Sequence, residues 1–104
     1  MIPEIDPTTL AVRLRAGAVL VLDVREPDEY RRGHVPGARN LPLGRLRSQV
    51  AGLRPGVPVY VVCQSGRRSA EATAFLRTAG VDATNVAGGT AAWIASGHPC
   101  DSGA

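Results

Sequence analysis

The chain contains no lysine: all twelve of its basic residues are arginines, spread from Arg13 to Arg77. Without a lysine there can be no phosphate loop of the form G-x-x-x-x-G-K, so Gly88-Gly89 reads as a strand-to-helix turn. Aromatics are equally scarce. Tyr30, Tyr60, Phe75 and Trp93 are the whole set, none lies within a basic run, and a nucleic-acid surface needs clustered cations with stacking rings. A nucleic-acid partner is therefore not expected. Apolar runs such as Ala16 to Leu22 and Val59 to Cys63 are far too short to span a bilayer. The first residues, MIPEIDPTTL, lack the basic and apolar regions of a secretory signal, which gives cytoplasmic as the expected location. Two cysteines, Cys63 and Cys100, are too few for a disulfide framework, and in a reducing compartment they stay thiols. The two histidines, His34 and His98, and the sequence His98-Pro99-Cys100 lack the paired spacing of a structural zinc site. No metal and no cofactor are expected.

What is present is the composition of an ordinary globular chain. There are 104 residues, 44% hydrophobic and 20% charged, with net charge +3 and mean hydropathy near zero. That length suits one domain with its own core. The expected domain is 1–104, with a core from about 3 to 99 and a tail from 100 to 104. Asp6-Pro7 supplies a helix cap followed by proline at the first helical position, opening a helix over 7–16 that Gly17 stops. Leu10, Ala11, Leu14 and Ala18 form its apolar stripe.

Five segments read as strands: Glu4-Ile5, Val19 to Val24, Arg39 to Leu43, Val57 to Cys63 and Asp82 to Val86. Between them lie helical pieces at 28–32, at 44–53 (Leu46, Val50, Leu53 on one face, ended by Pro55-Gly56), and at 68–78. The last of these turns Ala70, Ala74, Phe75 and Leu76 inward and is capped at Gly80. A final helix opens at Gly88-Gly89, contains Trp93 as a core residue, and stops at Gly97. Strands alternating with helices at this spacing imply an α/β fold with a parallel sheet covered on both faces. In such folds ligands bind beyond the carboxyl ends of strands, where Cys63 stands.

Cys63 ends a buried strand and is followed by Gln64, Ser65, Gly66, Arg67, Arg68 and Ser69. A cysteine that merely fills a core has no need of polar, glycine-containing sequence after it. A thiol becomes a nucleophile as its thiolate, which helix N-termini and nearby cations favour. Small residues here let successive backbone N–H groups point inward as an anion nest, with the next helix aimed at the same place. Arg67 sits at the rim to attract an anion, and Arg68 holds the loop or neutralises charge. Asp23 and Arg25, at the end of the neighbouring strand, read as braces for the loop. His34 reads as a structural side chain bonded to backbone. Cys100 is open to two readings, incidental or a resolving thiol for Cys63. Arg13, Arg15, Arg31, Arg32, Arg45, Arg47 and Arg54 read as solvated.

Four ordered motifs resemble a single-domain rhodanese: L-D-V-R-E at Leu22 to Glu26; E-Y-x-x-G-H-V-P-G-A at Glu29 to Ala38 with N-L-P-L at Asn40 to Leu43; C-x-x-G-x-R-S at Cys63 to Ser69; and V-A-G-G-x-x-A-W at Val86 to Trp93. Together they cover roughly Pro3 to Pro99. The resemblance implies a three-layer domain with a central, mostly parallel five-stranded sheet flanked by helices. It implies a thiosulfate or persulfide sulfurtransferase in which Cys63 takes a sulfane sulfur as a persulfide and passes it to cyanide or a thiol, in two displacement steps. The partners implied are a small anionic donor and its acceptor, with a sulfur-relay protein as a further candidate. The alternatives are a persulfide carrier served by a partner desulfurase, and a cysteine phosphatase or arsenate reductase of related fold. The latter use C-x5-R, whereas here arginine falls one residue earlier and Ser69 occupies the sixth position after Cys63. The shorter loop suits a sulfur atom better than a tetrahedral oxyanion.

Overall fold

The computed structural model describes residues 1–53 and 56–103; Arg54, Pro55 and Ala104, which carried a solvated arginine, a helix stop and the last tail residue in the sequence reading, lie outside them. Five strands form one sheet in the order β1-β5-β4-β2-β3, with every pairing parallel. They are β1 (Glu4–Ile5), β2 (Leu20–Asp23), β3 (Arg39–Asn40), β4 (Val59–Val62) and β5 (Ala83–Val86). The sheet is thus all-parallel rather than mostly so. Helices α1 (Pro7–Ala16), α2 (Pro27–Arg32), α3 (Leu46–Gln49), α4 (Arg67–Thr78) and α5 (Gly89–Ala95) connect and cover the strands.

Side chains alternate across β4, and this period-2 pattern divides the core. Val59, Val61 and Cys63 join Leu22, Leu46, Ala72 and Leu76 beneath α3 and α4. Tyr60 and Val62 face the other way, with Leu10, Ala11, Val21, Val86 and Trp93 beneath α1 and α5. Tyr30 of α2 packs against that second cluster. The sheet is therefore buried on both faces, as its near-continuous Val/Leu strands require.

The order of strands fixes where a site can form. From β2 the chain leaves through α2 to β3, toward one edge; from β4 it leaves through α4 to β5, toward the other. β2 and β4 are neighbours, so the crevice between their carboxyl ends is the topological switch point of the sheet. Asp23, Arg25, Cys63 and Gln64 all fall there.

Local chemistry explains most boundaries. Asp6 accepts the Thr9 N–H at 2.7 Å as the cap of α1, and Gly17 ends that helix at φ +80°. Ala18 lies outside the helix and is exposed, so the apolar stripe stops at Leu14. At the end of α4, Gly80 (φ +87°) donates to the Arg77 carbonyl and Val81 to that of Leu76, the paired bonds of a Schellman motif. Gly80 thus follows the capping residue, Ala79.

Three expectations are corrected. The strand expected over 39–43 is only Arg39–Asn40, since Pro42 has no N–H to continue a ladder. The helix expected over 44–53 is broken into 3-10 turns at Leu43–Arg45 and Val50–Gly52 around the four-residue α3; Gly44 and Gly52 each disfavour helix by about 1 kcal/mol relative to alanine, yet Leu46 and Leu53 remain buried. The inward face of α4 is Ser69, Ala72, Thr73 and Leu76, while Ala74 is exposed and Ala70 and Phe75 are half-buried. Two hydroxyl residues occupy that face because Ser69 is held by the sulfur of Cys63 and Thr73 bonds back to the Ser69 carbonyl at 2.7 Å.

The corrected face gives a direct comparison. Leu76→Ala should destabilise the fold by about 2–5 kcal/mol, as fully buried leucines do, while Ala74→Glu should change stability by no more than about 0.5 kcal/mol at its exposed position. Chemical denaturation of the two variants distinguishes this face from the one centred on Ala74.

Candidate active site

The loop after β4 starts at Cys63, whose side chain is buried on the α4 side of the sheet. Its Sγ accepts the Gly66 N–H at 3.1 Å and the Ser69 hydroxyl at 3.3 Å. Burial, the largest single influence, pushes the thiol up; the Ser69 hydroxyl and the N–H groups of Ser69, Gly66 and Ser65 together outweigh it and hold Cys63 below its ordinary value. Donors aimed at sulfur favour its charged form. Gly66 sits at φ +100° immediately before α4, a left-handed conformation that costs glycine little and turns its N–H back toward the sulfur.

The same loop is held from outside through its carbonyls. Thr90 N–H donates to the Cys63 carbonyl at 2.8 Å and Ala91 N–H to that of Gln64 at 3.0 Å, so the first turn of α5 seats directly on the loop. Gly89 permits this contact, because a Cβ there would collide with the Cys63 and Gln64 carbonyls. A Cβ on Gly88 would in turn strike Ala92. The Gly88-Gly89 pair is therefore a packing seat as well as a turn. Asn85, buried at the end of β5, donates to the Gly66 carbonyl at 3.2 Å and to Glu4 at 2.8 Å, tying the loop to the β1 edge.

Asp23 and Arg25 are both buried. Arg25 Nη2 donates to Asp23 at 2.7 Å and to the Gly33 carbonyl at 2.8 Å, and Nη1 reaches Gln64 Oε1 at 3.2 Å. Asp23 contacts Arg25 rather than the loop, so its influence on the loop passes through the arginine. Asn40 donates to the carbonyls of Asp23 and Arg25 at 3.1 and 2.9 Å and fixes this corner from β3.

Arg68 is not a free cation over the sulfur. Its two Nη groups donate to both oxygens of Glu29 at 2.7 and 2.8 Å, a bidentate pair that clamps α4 to α2. Arg67 is exposed on the first turn of α4, and Gln64 and Ser65 are exposed ahead of it. The structure therefore brings together Cys63, Gly66 and Ser69, joins Arg25 to Gln64, and leaves Arg67 at the surface. Glu29, Asn85 and Thr90 belong to this environment although the sequence reading gave none of them a role. Glu29 and Thr90 lay inside quoted motifs, but nothing in the spacing tied them to the loop.

The remaining candidates lie around the site's edge. His34 Nδ1 lies 2.7 Å from the Tyr30 carbonyl and its ring stacks on Tyr30 at 3.7 Å, a structural role as expected. Trp93 is buried and donates to the Pro99 carbonyl at 2.8 Å. Cys100 is an exposed thiol, and the residues beyond it are held to the α2 segment: Asp101 pairs with His34 in an antiparallel bridge and Gly103 N–H donates to Arg31. No helix among the described residues is long and apolar enough to cross a membrane.

A family model described as Rhodanese-like domain matches residues 6–96. The Bacillus subtilis protein YqhL, described as uncharacterized, is 42% identical over 74 residues, or 70% of this chain and 59% of its own length. A protein of Allochromatium vinosum named Sulfurtransferase is 35% identical over 101 residues, 95% of this chain and 94% of that one. Among solved structures, a rhodanese-related protein from Thermoplasma volcanium superposes with a TM-score of 0.90 at 34% identity, covering 95% of this chain and 97% of that chain. The chain spans about half the length of several curated relatives, YqhL among them.

The Glu29–Arg68 clamp carries a pH signature. Its hydrogen bonds with Arg68 lower the Glu29 carboxyl from 4.5 to about 2, against the opposing effect of burial. A depressed carboxylate adds stability that is fully present above its unfolded value and is lost as pH falls toward its folded one. The melting temperature of the wild type should therefore fall between about 4.5 and about 2 more steeply than that of Glu29→Gln, a comparison made by thermal scans across acidic pH.

Proposed function

The chain belongs to the rhodanese-like domain family, whose members include relatives named as sulfurtransferases, and from that premise we propose that it transfers sulfane sulfur through a persulfide on Cys63. The observation that carries the reading is the pair of donors on one buried sulfur, the Gly66 N–H at 3.1 Å and the Ser69 hydroxyl at 3.3 Å. Such donors stabilise a thiolate before reaction and the same atom as a leaving group afterwards.

In the proposed first displacement the Cys63 thiolate attacks the outer sulfur of thiosulfate. A new S–S bond forms, the donor's S–S bond breaks, and sulfite departs with the bonding electrons. In the second, cyanide or a thiolate attacks the outer sulfur of the persulfide, and Cys63 leaves as a thiolate onto its original donors. No oxidant is consumed and no cofactor is needed. Residues Gln64 to Ser69 form the cradle in this scheme, Arg67 draws the anionic donor to the rim, and Arg68 holds the loop through Glu29. Arg25 supports Gln64, and Asp23 keeps Arg25 in place. The reading takes 1–104 as one working domain in a reducing cytoplasm, where both cysteines remain thiols.

Loop length favours this over the oxyanion chemistries of related fold: position six after the cysteine is Ser69, and its hydroxyl contacts sulfur where those enzymes place an arginine. The persulfide-carrier reading differs only in the source of sulfur.

The intact mass of the wild type should rise by one sulfur atom after thiosulfate, and added cyanide should release thiocyanate and restore the original mass. Cys63→Ser should do neither. A wild type that stays unmodified would overturn the enzyme reading; one that gains sulfur only when a desulfurase is present would make it a carrier. Ser69→Ala removes the leading stabilising contact on the thiol, so the pH profile of Cys63 alkylation should move to higher pH, with slower alkylation at neutral pH.

A further inference from the structure

Asn85 stands where a buried parallel strand ordinarily carries an apolar side chain. It lies in β5, opposite Glu4 of β1 on one side and Val61 of β4 on the other, and is 1% exposed. Its Nδ2 group donates to two acceptors, the Glu4 carboxylate at 2.8 Å and the Gly66 carbonyl at 3.2 Å. Its Oδ1 is buried with no hydrogen-bond partner among the described residues. That arrangement is unfavourable for the fold, because a buried acceptor has given up water and gained nothing in return. A leucine would occupy the same place without an orphaned atom.

The orphan follows from what the amide faces. Turned over, Asn85 would set its oxygen against a carboxylate and a carbonyl, both of them acceptors. Glu4 and Gly66 therefore decide which end of the amide points at the loop. Gly66 has particular need of such a partner, since glycine has the widest backbone freedom of any residue. It sits at φ +100°, and its N–H must stay on Cys63 Sγ, at 3.1 Å. The Ala70 N–H holds the same carbonyl from α4 at 3.1 Å, so Gly66 is gripped between α4 on one side and β5 on the other.

We infer that Asn85 is a positioning residue for the nucleophile, oriented by Glu4 of the edge strand: its amide keeps Gly66 turned so that the N–H faces the sulfur. The polar group at 85 thus serves the thiol at the expense of the fold. Neither residue touches the sulfur, yet together they set the geometry of one of its donors. The part this plays in sulfur transfer rests on the persulfide reading of Cys63, where the same donor serves the thiolate that attacks and the thiolate that leaves.

The pH midpoint of Cys63 alkylation by iodoacetamide, measured on the full chain, reports the thiol without any sulfur donor. Mass analysis of the Cys63 peptide keeps Cys100 out of the reading. Asn85→Leu should raise the midpoint by about 0.5–1 pH unit, the worth of one weakened hydrogen bond. Glu4→Ala, at an exposed position, should raise it by a smaller step, although loss of a negative charge would by itself lower it. Leu10→Ala, buried in the cluster on the other side of the sheet, should lower the melting temperature and leave the midpoint where it is. An Asn85→Leu midpoint equal to that of the wild type would overturn the inference, as would a Leu10→Ala midpoint that rises just as far. A Glu4→Ala midpoint that stays or falls would overturn the part assigned to Glu4, and this variant decides the matter alone where Asn85→Leu does not fold. Failure of thiosulfate to modify Cys63 is a separate result, which bears on sulfur transfer and leaves these midpoints as they are.

Discussion

The direction in which the peptide groups of residues 63–66 point is the constraint on which the site depends. A loop that follows a strand can turn its carbonyls or its N–H groups toward the sulfur, and only the second arrangement stabilises negative charge there. The choice is made outside the loop. The N–H groups of Thr90 and Ala91 bind the Cys63 and Gln64 carbonyls, and Asn85 binds that of Gly66. With these carbonyls held away, the Gly66 N–H is free to face the sulfur. The final helix, which carries no nucleophile, thus decides the polarity of the cradle, and Gly89 decides whether that helix can approach.

Charge is handled by the same economy. Four ionisable side chains surround the loop in two matched pairs, Asp23 with Arg25 and Glu29 with Arg68. Buried or half-buried charges need such partners to persist. The consequence is that the thiol owes its depressed pKa chiefly to neutral donors on its own loop, while the arginines act as struts. A thiol held in this way keeps its lowered pKa over a range of ionic strength, because short hydrogen bonds in a protected position are screened far less than exposed charges.

Much of this was legible in the sequence, for identifiable reasons. The strands, the capped first helix and the placement of Cys63 follow from strong local signals: Asp6-Pro7, the Val/Leu runs, and a polar glycine-containing loop after an apolar strand. The inward face of α4 was misplaced because Ala, Ser and Thr differ little in hydrophobicity, so a window of Ser69 to Ala74 cannot show which side is buried. The sulfur contact with Ser69 settles that face, and no periodicity encodes it. The Glu29–Arg68 pair joins residues 39 positions apart, and the seat of α5 on Cys63 depends on backbone groups, which every residue has.

The alternation of β4 has a further meaning for how such a domain can change. Val59, Val61 and Cys63 share one face of the sheet, and Tyr60 and Val62 the other. One residue inserted before Cys63 would carry the thiol through the sheet to the side of α1 and α5, away from Ser69 and every donor that serves it. One residue inserted after Cys63 would leave the thiol in place and merely widen the ring of amides around it. The strand therefore acts as a ratchet, with the sulfur fixed in position and the loop that follows free to be resized around it.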